Sequence, residues 1–399
     1  MESIFQKSFD NITSVDIQNL IDIKYKERQR VEYKREMYKH TDKYRKEMLR
    51  DISSIANAYG GFLIIGVEAD NKGIPLKPVH VDNVEDERNR IEQSCLSNIE
   101  PRVSGLKCKT IKMDTGEDII IVFIPRSLKK PHMISFQQLN QFWIRHNDKK
   151  ELMSVEEIRD ACLSVENIWK DIRQFIDERE KELRKDIISR GGLGIGCTPA
   201  LTREEFIDIR DSKIKEFLID PPNQVGRPFN LSFKESGSIL TYPEPTLFGL
   251  RIGKSDDRVV QLFRNGYYEL ITDRDWIYMQ DGDKGVFINT QSLVGHTVNY
   301  FRALSYLVEQ FGVESNVVVF VNLYNVENAK LEAKVVDPYT RVEHTVEKRL
   351  EGMQHLLTPA KQILSFDKPD AVAKSFLEKI WNAFGFEEVP FFKGEEYNP

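Results

Sequence analysis

The sequence predicts an α+β protein: a mixed sheet with helices in the first part, a long connecting helix, then a second α+β region. Three observations carry this expectation. Short apolar blocks bounded by turn residues, such as FLIIGV over 62–67 and IIIVFIP over 119–125, read as buried strands. Segments with helical spacing separate them, the clearest being 42–59, where Tyr44, Met48, Ile52, Ile55 and Tyr59 form one stripe. An amphipathic run then extends from Val155 to about Arg190, long enough to link two bodies or to pair with a second copy.

The 399 residues are 40% hydrophobic and 30% charged, enough for a buried core and more than one small domain needs. No run of about eighteen apolar residues occurs, so no membrane-spanning helix is expected. The start, MESIFQKSFDNITSVD, lacks the basic then apolar order of a signal peptide, and a cytoplasmic location is expected. Cys95, Cys108, Cys162 and Cys197 form neither a CxxC pair nor a zinc-finger spacing and read as reduced thiols.

In chain order, residues 14–24 predict a helix with Ser14 as cap, and 29–37 predict a strand. On that strand Val31 and Tyr33 share one face, Glu32 and Lys34 the other. The 42–59 helix stops at Gly60-Gly61, strand 62–67 follows, and 68–75 turns. A helix over 85–98, a hairpin over 110–114 and 117–125, and a last strand over 141–148 complete the first domain, residues 1–153. Ser154 caps the long helix, and GGLGIG, 191–196, reads as a flexible linker, giving a connector over 154–198. The 199–399 domain is predicted to have strands in GSILTYP, TLFGLRIG, RVVQLFRNG, YYELIT and NVVVFVNLYNV, and helices over 292–311 and 371–384. Phe248, Phe263, Tyr267, Tyr268 and Trp276 there suit a core or a recognition surface.

Charge is unevenly placed. The net charge is −6, yet Lys24 to Arg50 holds eleven bases against five acids. Such a segment suits a phosphate backbone, or forms a solvated, salt-bridged helix face. Lys34, Arg35, Lys43, Lys46 and Arg50 are candidate nucleic-acid contacts, with Lys129, Lys130 and Arg145 as further candidates on a loop and the last strand.

One ordered series is more specific: Glu27, Glu32-Tyr33-Lys34, then Ala56-Asn57 and Gly60-Gly61 at a helix end, then Gly66-Val67-Glu68 and Asp70, with Pro131 and FWIR ending at Arg145 later. This series resembles the Schlafen-type AlbA-like domain, earlier described as a divergent AAA-type module. The resemblance covers about a third of the chain. It implies nucleic-acid binding, of RNA or DNA. By analogy with the RNA-cutting members it also implies metal-dependent ribonuclease chemistry on structured RNA such as tRNA, in a stress or phage-defence role. The catalytic and metal-binding acids it implies are Glu27, Glu32 and one of Glu68 or Asp70, with Mg or Mn as cofactor. The alternatives are a non-catalytic DNA- or RNA-binding transcriptional regulator, or a nucleotide-binding module using ATP, although no P-loop lysine follows the glycines. The domain occurs once, so a homodimer is one way to complete a groove.

Overall fold

A computed structural model describes residues 4–5, 9–147, 149–186, 192–200, 205–226, 229, 231–234, 242–253, 258–273, 278–280, 286–311, 313, 316–336 and 343–398. The chain divides into two compact units, residues 4–171 and 172–399.

The first unit is built from two four-stranded sheets with a helix between them. Helix α1, Ser14–Asp22, opens it. Its cap is Thr13 rather than the expected Ser14, and Asp16 closes a capping box with the Thr13 backbone. Strand β1, Val31–Lys34, is followed by α2, Asp42–Asn57, and β2, Gly61–Ile65. β1 and β2 pair in parallel, with Glu32 beside Leu63. A parallel pair needs a crossover, and α2 supplies it. Gly66 interrupts the expected 62–67 strand: φ is +98°, and a Cβ there would meet the Ile119 side chain and the Val79 carbonyl. The chain leaves as β3, Val67–Ala69, and returns as β4, Pro75–Pro78.

After α3, Val84–Asn98, come β5, Ile99–Glu100, β6, Lys107–Lys112, and β7, Asp118–Ile124. The first sheet runs β1-β2-β7-β6, with β7 inside as its apolar run requires. Period-two alternation gives it two dry faces. Leu63, Ile65, Ile120, Val122 and Ile124 pack with Met48, Leu49, Ile52 and Ile55 of α2. Phe62, Ile64, Ile119 and Ile121 pack with Ile17, Leu20 and Ile21 of α1.

The second sheet was only partly foreseen. Strands β8, Met133–Phe136, β9, Leu139–His146, and β10, Lys149–Leu152, join β5 in the order β10-β9-β8-β5. This sheet covers the other side of α2, so every residue from Met48 to Ala58 except Arg50 is buried. Asn57 locks the arrangement. Its amide donates to the His132 and Trp143 carbonyls at 2.9 and 2.8 Å, and its oxygen accepts the His132 N–H at 2.6 Å.

Helix α4, Val155–Asp186, crosses from the first unit's residues to the second's; the expected extension to Arg190 lies outside the described residues. Of the glycine-rich linker expected at 191–196, residues 192–196 are instead part of strand β11, Gly192–Pro199, buried throughout, and residue 191 lies outside the described residues. It pairs antiparallel with Tyr268–Asp273 on one side and Val317–Tyr324 on the other, inside an eight-stranded sheet. Its glycines make room for aromatic rings. A Cβ on Gly196 would lie 2.3 Å from Phe320 and 2.7 Å from the Tyr267 hydroxyl, and one on Gly194 2.8 Å from Tyr324. Helices Thr290–Phe311 and Pro369–Ala383 pack against each other in this unit's core, near their expected positions. Residues 237–241 of the expected GSILTYP strand, and Trp276, lie outside the described residues. Phe263, Tyr267 and Tyr268 are core residues, while Phe248 is exposed.

Candidate nucleic-acid interface

Strand alternation turns Glu32 and Lys34 away from the α1 side of the sheet and toward a buried ionic network. Glu32 takes a cation on each oxygen: Lys34 Nζ lies 2.8 Å from Oε1, and the Arg145 guanidinium pairs with Oε2. Burial drives the Glu32 pKa upward, but Lys34 and Arg145 outweigh it and hold the carboxyl below its ordinary range. The Arg145 side chain is fully buried, and its Nε also donates to the Arg28 and Asn147 carbonyls. Lys34 continues to Asp51 of α2 at 3.4 Å. Asp51, with no exposed side-chain surface, also pairs with Lys150 of β10 and accepts the Tyr38 hydroxyl. Opposed by burial, Asp51 and Glu32 still raise the Lys34 pKa.

Sequence reasoning missed Asp51, Lys150 and Tyr38. Asp51 lies three residues after Met48 and four before Ile55, so an acid stood on the inward face of an amphipathic helix. Such an acid demands a cation, and the β9–β10 turn that brings Lys150 to it was not foreseen.

The acids expected as a metal set, Glu27, Glu32 and one of Glu68 or Asp70, already have other partners in the structure. Glu27 and Glu32 are neighbours. Burial, then the Glu32 charge, raises the Glu27 pKa, and its Oε1 accepts the Tyr33 N–H at 2.9 Å. Glu68 is drawn to Arg35 at 3.2 Å and Lys77 at 3.6 Å. Asp70 folds onto its own turn, accepting the N–H groups of Lys72 and Ile74 at 2.8 and 2.9 Å. Among the described residues, no group of three or more His, Cys, Asp or Glu side chains is arranged to hold a metal ion. A divalent ion at Glu32 would share a carboxylate that already carries Lys34 and Arg145.

The expected cations divide into two sets. Lys34, Arg35 and Arg145 are spent on carboxylates. Lys43, Lys46 and Arg50 have no carboxylate partner among the described residues. Lys43 and Lys39 sit over the Tyr44 ring at 5.8 and 5.6 Å. Lys46 and Arg45 sit over Phe136 at 5.9 and 5.5 Å. Arg50 lies 4.6 Å from the Trp143 ring centre. A ring face holds a cation in place without neutralising it. These five positive side chains on α2 and the segment before it therefore keep their charge for a ligand. On the 126–132 loop, Lys129 reaches Ser104 at 3.3 Å. Half-buried Lys130 has its pKa lowered by burial and by Arg126.

This fold and site define an α+β domain whose Glu32, Lys34 and Arg145 sit in an internal ion network and whose basic helix is presented on aromatic rings. Residues 27–154 match the family model for Schlafen, AlbA_2. None of the curated proteins compared matches the chain. Two solved structures are similar to parts of it. One is the N-terminal domain of a RecG-related ATP-dependent DNA helicase protein from Nitrosomonas europaea, at 16% identity and TM-score 0.27, covering 36% of this chain and 94% of that one. The other is the DIP2311 protein of Corynebacterium diphtheriae, at 16% identity and TM-score 0.23, covering 31% of this chain and 22% of that one. No helix among the described residues is long and apolar enough to cross a membrane.

Proposed function

We propose that residues 27–154 bind nucleic acid by its phosphate backbone without cutting it. One observation carries the reading: Lys39, Lys43, Arg45, Lys46 and Arg50 are seated on aromatic rings, and none has a carboxylate partner among the described residues. A salt-bridged helix face would have spent these charges on Asp42 and Glu47. Asp42 instead accepts a hydrogen bond from Gln137. The family match over 27–154 supports the same reading.

Cleavage is left out because Glu32, central to the expected metal site, already holds two cations, and Glu68 and Asp70 face other partners. The test pairs two assays on the full chain. Fluorescence anisotropy with a labelled mixed-sequence oligonucleotide should show affinity falling steeply with salt; a flat response refutes backbone binding. Incubation with tRNA and single-stranded RNA in Mg or Mn should leave the substrates intact. Cutting that disappears in Glu32→Gln while binding persists would replace this reading with the ribonuclease one.

A further inference from the structure

The hairpin beside the basic helix carries residues that its turn does not favour. β8 and β9 pair antiparallel with Phe136 opposite Leu139, leaving Gln137 and Gln138 as a two-residue turn. Both have left-handed backbones, φ +49° and +60°. Tight hairpin turns of this kind take Asn-Gly or Asp-Gly, because side chains crowd the backbone at positive φ. Two glutamines there cost stability that a glycine would recover.

The tip is rich in amides and ties directly to the phosphate-facing helix. Gln137 donates to Asp42 in the first turn of α2. Gln138 and Asn140 are exposed, and Ser135, opposite Asn140, shares its face of the ribbon. Directly before the turn of the same hairpin, Phe136 carries Arg45 and Lys46 on its ring. The Gln138 carboxamide therefore lies at the turn beside the backbone-binding groups seated on Phe136, whereas Asn140 lies on the other face of the ribbon.

We infer that the β8–β9 hairpin reads base edges in the major groove of B-form DNA, with Gln138 directed at adenine while the helix cations hold the flanking phosphates. The inference rests on the nucleic-acid reading above and narrows it to duplex DNA. Three points of chemistry favour that ligand. The B-form major groove is wide enough for a two-stranded ribbon. A carboxamide both donates and accepts, which matches the adenine N6 donor and N7 acceptor. The deep, narrow major groove of A-form RNA excludes such a ribbon.

The experiment measures full-chain binding to three short duplexes: one with mixed adenine-containing steps, the same sequence with 7-deaza-adenine, and a G·C-only duplex. Removing N7 deletes an acceptor in the major groove and leaves the minor groove unchanged. The wild type should prefer the adenine duplex by about tenfold over both others, the scale of one bidentate contact. The double variant Gln137→Asn, Gln138→Gly keeps the turn in its favoured residues and should melt no lower than wild type. It should bind all three duplexes alike, with an unchanged salt slope. Equal binding of the three duplexes by wild type, or a preference that survives in the variant, overturns this inference and leaves phosphate binding standing. Absence of salt-dependent binding to any duplex or single strand instead removes the reading beneath it.

Discussion

Replacing Lys43 and Lys46 by glutamine should lower the salt sensitivity of binding without weakening the fold. The magnitude follows from counting charges. Five cations are seated on rings. If each displaces one condensed counterion from B-form DNA, log affinity should fall against log salt with a slope of about −4.5. Between about 50 and 200 mM salt that is about a 500-fold loss. Two fewer cations should bring the slope to about −2.7 and the loss to about 40-fold. Lys43 is exposed and Lys46 half-buried over Phe136, so glutamine keeps much of each stem and stability should move by less than about 0.5 kcal/mol. Anisotropy titrations at four or so salt concentrations, with a thermal melt as control, measure both quantities. An unchanged slope in a well-folded variant would show that these cations do not meet phosphate, and the reasoning would fail.

Other outcomes follow from the same geometry. Glu32→Gln leaves buried Arg145 without its carboxylate, which should cost about 3–5 kcal/mol in chemical denaturation of the first unit; a loss under about 1 kcal/mol would mean the network contributes little. Gly196→Ala pushes a methyl into Phe320 and the Tyr267 hydroxyl and should cost about 1–3 kcal/mol, read as a lower melting temperature. His296 is buried in the second unit, its Nδ1–H donating to the Ser292 carbonyl, and burial, opposed by that bond and aided by Arg258, lowers its pKa to about 4. Its folded value lies below the unfolded one, so stability is full above about pH 6.5 and declines as pH falls toward 4, by up to about 3 kcal/mol. Melting curves across that range, compared with His296→Gln, should show this slope in wild type and its loss in the variant; parallel curves would refute it.

Much of the first unit was readable in the sequence because its elements obey their own periods. The α2 stripe, the apolar β7 and the alternation of β1 each fix a face without knowledge of any partner. What stayed hidden depended on partners distant in sequence. Glu32 and Arg145 were both visible as candidates for ligand contact, but their pairing across 113 residues was not. GGLGIG, residues 191–196, looked like a linker because glycine is a poor strand former. It is a strand because Phe320, Tyr324 and Tyr267 occupy the space that side chains on β11 would fill. The candidate cations were legible as a group, whereas their division into paired and ring-seated sets depended on which rings the second sheet brought to α2.

The Asn57 amide joins the end of α2 to the backbones of His132 and Trp143. His132 directly precedes the strand that carries Phe136, and Trp143 is itself the ring over which Arg50 lies. The helix thus cannot slide along its supporting sheet without breaking three buried bonds. For a ligand this makes the surface a ruler rather than a brush: charge positions are set before contact. Less side-chain and backbone freedom is lost on association than with cations on a loose arm. If the proposed phosphate contacts hold, a strand whose phosphate spacing departs from that ruler gains few of them, and helical geometry itself becomes a basis for discrimination.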